Sequence, residues 1–140
     1  MERRLPLFDK RDLVDAAIAA RKNAYAPYSG YQVGAAVLDA EGNIWVGCNV
    51  ENVSYPVGLC AERSALARMV AEGHTRLEMV AVATRDGNTP CGMCRQAMLE
   101  FAGDPAHVEV HTVSEDGNLK CYKLSDLIPS GFESAELRRT

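Results

Sequence analysis

The sequence predicts a three-layer α/β/α domain, with a five-stranded mixed sheet covered by helices on both faces. Three observations point to it. Three segments read as helices, near residues 10–25, 60–71 and 91–101, the first of them with apolar residues at helical spacing. Between them lie short runs rich in Val, Ala, Leu and Ile, bounded by Gly, Asp and Asn. The resulting order is helix, two strands, helix, strand, helix, two strands, an alternation that suits a layered sheet. A chain of 140 residues is the usual size of one domain, so residues 1–140 are read as a single unit. Its 47% hydrophobic share is enough to build a core.

Taken in order, Asp9 can cap a first helix from about Lys10 to Tyr25, whose Leu13, Ala16, Ala17, Ala20 and Ala24 share one face. Pro27 stops it, and Tyr28-Ser29-Gly30 turns the chain. Tyr31 to Leu38 reads as a strand whose small Gly34, Ala35 and Ala36 permit close packing. Asp39-Ala40-Glu41-Gly42 is a hairpin turn, and Ile44 to Val50 is the return strand. Asn49 and Glu51 fall on the same side of an extended segment. There they could bind hydroxyl groups or simply face solvent. A helix from about Cys60 to Ala71 stops at Glu72-Gly73. Leu77 to Thr84 is a dense apolar strand, which after a helix suggests parallel pairing and cover on both faces. A helix follows from about Cys91 to Phe101, then strands Val108 to Val113 and Leu119 to Leu124. Ser125 to Leu127 reads as one helical turn, and a polar tail ends in Leu137-Arg138-Arg139-Thr140. Both later helices start at strand ends, where sites sit in such sheets.

The chemistry is concentrated at those two helix starts, Cys60-Ala61-Glu62-Arg63 and Pro90-Cys91-Gly92-Met93-Cys94-Arg95-Gln96. A catalytic Zn²⁺ takes three protein ligands and keeps one position open for water. Cys60, Cys91 and Cys94 would fill three positions, and Glu62 lies two residues beyond the first ligand, where it can move a proton. The spacing matches the zinc-deaminase signature of a ligand, one residue, a Glu that is not a ligand, and a later Pro-Cys-x-x-Cys. Three thiolates on one Zn²⁺ leave a formal charge of −1, which a guanidinium at Arg63 could draw off by donating to sulfur. Simpler readings exist for each part. A Cys-x-x-Cys pair can be a redox motif, or half of a structural zinc site completed by Cys48 or Cys121. A Glu in a first helical turn suits the helix dipole, and Arg63 can be a surface residue. The combination favours catalytic zinc.

Net charge −4 and a pI near 5.4 argue against a nucleic-acid partner, since phosphate binding needs a basic face. The sequence has no long apolar run for a membrane span. MERRLPLFDKRD does not have the form of a signal peptide, and five cysteines with no export signal fit reduced thiols in the cytoplasm. Cys48 and Cys121 read as small buried apolar residues, and His74, His107 and His111 as structural or surface residues.

With these residues in view, the chain resembles the cytidine deaminase family in its small homotetrameric form. The likeness runs from Tyr28 to about Phe132, through YSGYQVGAAVL, GCNVENVSYPVGLCAERSAL, PCGMCRQ and LIPSGF. The resemblance implies a cytidine deaminase-like fold. It implies hydrolysis of cytidine and 2′-deoxycytidine to uridine and 2′-deoxyuridine with release of ammonia, as in pyrimidine salvage. It implies one Zn²⁺ per subunit on Cys60, Cys91 and Cys94, with Glu62 as proton shuttle and Arg63 beside the thiolates. Asn49 and Glu51 would bind the ribose hydroxyls, and Tyr31 and Ala61 would lie at the base. Phe132 would reach the base bound by a neighbouring subunit of a homotetramer with active sites near its interfaces. Two positions depart from the family pattern: Tyr31 stands where Phe is usual, and Gln32 where Pro is common.

A rival of the same chemistry is a deaminase of a blasticidin-type nucleoside, which shares the cysteine motifs. The Asn49/Glu51 pair favours ordinary nucleosides instead. Deaminases of tRNA or DNA fit poorly with an acidic chain. A rival of another class is a non-catalytic zinc module, which requires a fourth protein ligand and leaves Glu62 without a role.

Overall fold

The computed structural model describes residues 9–134 and Leu137. Most of the stretch assessed as a signal peptide, and Arg138 to Thr140 of the tail, lie outside the described residues.

Asp9 caps the first helix as its side chain accepts from the Arg11 amide at 2.8 Å. Helix α1 spans Lys10–Arg21, and strands β1 (Gly34–Asp39) and β2 (Ile44–Cys48) form the hairpin. A short 3-10 turn, Tyr55–Val57, precedes α2 (Ala61–Ala71). Then come β3 (Leu77–Ala83), α3 (Gly92–Phe101), β4 (Glu109–Val113), β5 (Leu119–Lys123) and the one-turn α4 (Leu124–Leu127). The five strands lie in the order β2-β1-β3-β4-β5. Strand β1 is antiparallel to both β2 and β3, β3 is parallel to β4, and β5 is antiparallel to β4. The sheet is therefore mixed, as expected, but the parallel pairing expected of β3 holds only on its β4 side.

Helix α1 packs Leu13, Val14 and Ala17 on one face of the sheet, against Ala36, Leu38 and Ala81. Helices α2 and α3 pack Ala65, Leu66, Met69 and Met98 on the other, against Val37 and Val80. Burying each large aliphatic side chain contributes about 1.5–3 kcal/mol, and alternation along the strands supplies both faces. Two glycines let the layers approach. A Cβ on Gly34 would strike the α1 backbone at Ala17 and Arg21, and one on Gly47 would strike the α2 backbone at Ala61 and Ala65. The buried Asp39 carboxylate locks the hairpin turn, accepting from the amides of Glu41 and Asn43 and from the Trp45 indole at 2.8, 3.0 and 2.8 Å.

Three expectations need correction. The first helix ends at Arg21 rather than Tyr25, because Tyr25 leaves the helix to pair with Val50, its amide donating to the Asn49 carbonyl at 2.9 Å. The hairpin strands are shorter than Tyr31–Leu38 and Ile44–Val50, because the Asn49 side chain takes up the backbone groups of 31–33 that a longer ladder would use. Cys48 is only half-buried and Cys121 is exposed, because β2 and β5, which carry them, are the two edge strands among the described residues.

The topology positions the site. Strands β2 and β3 both run antiparallel to β1, so their C-terminal ends and the start of β1 meet at one edge of the sheet. Gly34 pairs there with both Cys48 and Ala83. Residues 31–33, 49–51, 60–62 and 84–91 all emerge at that edge.

Candidate active site

Cys60 and Cys91 are the N-cap residues of α2 and α3, and Cys94 lies in the first turn of α3. Neither cysteine cap accepts a side-chain bond from the amides of its own helix, which leaves both sulfurs free of that role. Cys60 and Cys91 Sγ are 4.0 Å apart, Cys91 and Cys94 Sγ are 3.5 Å apart, and all three lie within 4.8 Å of one another. Tetrahedral zinc with Zn–S bonds of about 2.3 Å sets its thiolates about 3.8 Å apart, so this donor set fits zinc. Among the described residues neither Cys48 nor Cys121 joins it, which leaves the cluster without the fourth thiol that a closed structural site would need.

The electrostatics of the cluster single out one thiolate. A hydrogen bond from Cys94, with the Arg63 guanidinium close by, holds the Cys60 thiol down to about 5. Cys94 is pushed well up, because it keeps its proton in that hydrogen bond to Cys60 and is buried. Arg63 Nη2 donates to Cys60 Sγ at 3.7 Å, and its buried Nε has no partner among the described residues. The role expected for Arg63, spreading the charge of the thiolates, is thus geometrically available. Arg63→Ala is expected to lower both turnover and zinc retention with the fold preserved, and metal analysis beside steady-state kinetics checks it. Equal values in variant and parent would refute the role.

Glu62 is 5% exposed, and Ala61 beside it is fully buried. Burial pushes the Glu62 carboxyl up, and the negative charge at Cys60 pushes it the same way. Both residues line a cleft of about 370 Å³ whose wall also includes Tyr31, Asn49, Glu51 and Cys91. That size lies in the usual range for small-molecule sites. The structure therefore gathers Cys60, Glu62, Cys91, Cys94, Arg63, Ala61, Tyr31, Asn49 and Glu51 around one cleft and its metal-type cluster. Phe132 is apart from it. The ring does not line the cleft and is 55% exposed, and its carbonyl accepts from Gln96 Nε2 at 2.8 Å.

Asn49 and Glu51 are more engaged than two acceptors on an extended segment need be. Asn49 Oδ1 accepts from the Val33 amide at 2.8 Å, and its Nδ2 donates to the Tyr31 carbonyl at 2.9 Å. Glu51 accepts from the Tyr28 and Ser29 amides at 3.0 and 3.1 Å and from the Ser29 hydroxyl. The Ser29 hydroxyl and amide bonds hold its carboxyl below the usual range. A carboxylate offers about four lone-pair sites, and Asn49 keeps one N–H and one lone pair, so each can still receive a ligand hydroxyl.

Four residues carry roles that the sequence reading missed. Buried Thr84 ends β3, and its Oγ1 accepts from the Gly87 and Asn88 amides at 2.7 and 3.2 Å, fixing the loop that leads to Cys91. Arg95 ties the same loop down, donating to the Pro90 carbonyl, the Thr89 hydroxyl and the Leu127 carbonyl at 2.7, 2.8 and 2.8 Å. Its place directly after Cys94 was the available signal. Asn88 donates to the Tyr31 hydroxyl at 3.1 Å, and the Arg85 guanidinium sits 5.3 Å from the Tyr31 ring centre. Tyr31, the departure from the family pattern, thus has a partner for its extra hydroxyl.

A sequence profile described as the cytidine and deoxycytidylate deaminase zinc-binding region matches residues 8–111. The chain belongs to this deaminase family. Among its relatives, a cytidine deaminase of Halalkalibacterium halodurans is 39% identical over 131 residues, covering 92% of this chain and 98% of that one. A cytidine deaminase of Mycobacterium tuberculosis is 37% identical over 137 residues, covering 96% and 98%. The crystal structure of cytidine deaminase from Burkholderia pseudomallei superposes with a TM-score of 0.84 at 40% identity, covering 89% of this chain and all of that one. The deaminase family thus accounts for the three-layer fold and for zinc as the metal.

Proposed function

We propose that the whole chain is one catalytic domain that deaminates cytidine and 2′-deoxycytidine hydrolytically, yielding uridine or 2′-deoxyuridine and ammonia. The observation that carries this reading is the buried Glu62 carboxyl, two residues from Cys60, in a cleft lined by Cys60 and Cys91, whose sulfurs converge with that of Cys94. Cys60, Cys91 and Cys94 would hold the zinc. When bound there, zinc supplies the Lewis acidity that makes water nucleophilic at neutral pH. Glu62 takes one proton from the attacking water and gives it to the ring nitrogen of the cytosine, then takes the second from the hydroxyl added to the ring carbon and gives it to the departing amino group. Its raised pKa suits a group that must hold a proton between steps. Ala61 and Tyr31 wall the base, and Asn49 and Glu51 take the sugar hydroxyls. Residues 28–33 are pinned by the last two, so sugar binding and base packing share one brace.

The polar pair at the sugar end favours an ordinary nucleoside over a blasticidin-type substrate. Ammonia release with cytidine, 2′-deoxycytidine, adenosine and blasticidin S, run in parallel, tests the choice. Activity confined to the two cytidines is the expected result, and a preference for blasticidin S would overturn it. For Tyr31→Phe, loss of the Asn88 bond is expected to raise KM for cytidine by about two- to tenfold with kcat nearly unchanged, as steady-state kinetics would show.

The same reading extends to assembly and setting. The exposed Phe132 and an apolar groove between α2 and α3, lined by Leu66, Val70, Ala97 and Phe101, support a homotetramer in which Phe132 serves a neighbour's cleft. Light scattering of the purified protein tests the mass. No described helix is long and apolar enough to cross a membrane. The reduced thiols of the metal cluster fit a cytoplasmic enzyme of pyrimidine salvage.

A further inference from the structure

A second group of metal-type donors lies on β4 and β5, outside the lining of the cleft. Glu109 and His111 are two residues apart on β4 and so project from the same face. Cys121 on β5 stands directly opposite His111 in the antiparallel register. His111 Nε2 is 2.9 Å from Glu109 Oε1 and 3.7 Å from Cys121 Sγ, and the three donor atoms lie within 4.8 Å of one another. The imidazole is 13% exposed, while the Glu109 side chain, at 36%, sits at the rim. Lys10, the first residue of α1, reaches across to Glu109 Oε1 at 2.9 Å.

We propose that Cys121, His111 and Glu109 form a second divalent-metal site, suited to a zinc-type ion, which clips the edge strand β5 to β4. The inference does not depend on the deaminase reading. It rests on how the three donors converge. One ring nitrogen, Nε2, faces both the carboxylate and the sulfur. As an N–H it can serve one of them, and as a lone pair it repels the carboxylate. A cation between the three satisfies all of them at once. A thiolate, an imidazole and a carboxylate are the donor types zinc takes, with a fourth place left for water. Magnesium and calcium want oxygen donors throughout, so this mixed set selects against them.

The location gives the site a consequence. Among the described residues strand β5 pairs only with β4, and it is mostly exposed along its length. A metal joining His111 to Cys121 would link the two strands at the middle of their ladder. Lys10 is the built-in competitor. Its ammonium shares the oxygen that a metal would take, and it must shift to the second oxygen of Glu109 or to water when metal binds.

Zinc titration of the metal-free protein against a chelating indicator tests the proposal by counting sites. The parent is expected to take up two zinc ions per chain. His111→Ala and Cys121→Ala should each take up one, with unchanged activity at one equivalent, since both lie outside the cleft. Lys10→Ala removes the competing charge and should bind the second ion about three- to tenfold more tightly. Uptake of a single ion by the parent would overturn the proposal. So would a second ion that binds His111→Ala and Cys121→Ala as tightly as the parent. Because the readout is stoichiometry, a failure here is distinct from a failure to deaminate cytidine.

Discussion

Glu62→Gln is expected to lower kcat for cytidine by about 10²- to 10⁴-fold, the range typical of a lost general acid–base group. The side chain is 5% exposed and its carboxyl is pushed up by burial, so an uncharged amide of the same shape fits the space. Removing an ionisable group from a buried position carries no penalty for stability and can relieve one. The variant should therefore fold, melt at or above the parent temperature and retain its zinc. Only proton transfer is lost, because an amide can neither take the proton from water nor pass it to the ring. Kinetics, metal analysis and thermal melting on one preparation check all three parts. Turnover within threefold of the parent would remove Glu62 from the chemistry.

Cys94→Ala is the second large effect. Cys94 is fully buried and sits in the first turn of α3, packed in the main core as well as facing the other two sulfurs. With two thiols left, zinc affinity should fall by more than about 100-fold, since even losses among the groups behind metal ligands cost 10- to 100-fold. Activity should fall with it. Zinc held by the three thiols would also join the starts of α2 and α3, so its binding energy would add to the stability of the folded state. The zinc-loaded parent should melt well above Cys94→Ala, and a strong chelator should remove most of that difference. A gap that survives chelation would assign the effect to the core cavity rather than to the metal.

The sequence made the centre of the site legible because its residue types are chemically restrictive. Few arrangements other than a metal cluster explain Cys60, Cys91 and Cys94 with Glu62 at its offset, and the structure brings their sulfurs together. Helix starts at both motifs followed from the same stretches, and the hairpin from its turn residues. Other features depend on contacts between distant segments. The diversion of Tyr25 to pair with Val50 ended the first helix early, and no local preference announces that. The bracing roles of Asn49 and Glu51 came from residues about twenty positions away. Asn88 had no motif to mark it, since its partner Tyr31 is 57 residues distant. The exposure of Cys121 followed from strand order, which periodicity does not fix, and the same order placed it opposite His111.

The central claim is that the three thiols hold zinc as an open centre at which Glu62 works. Zinc-edge X-ray absorption on protein loaded with one equivalent tests it most directly. Three sulfur neighbours at about 2.3 Å with one oxygen or nitrogen neighbour is the predicted result. Four sulfur neighbours would contradict it, because a fourth thiolate from Cys48 or Cys121 would close the centre and leave Glu62 with nothing to activate.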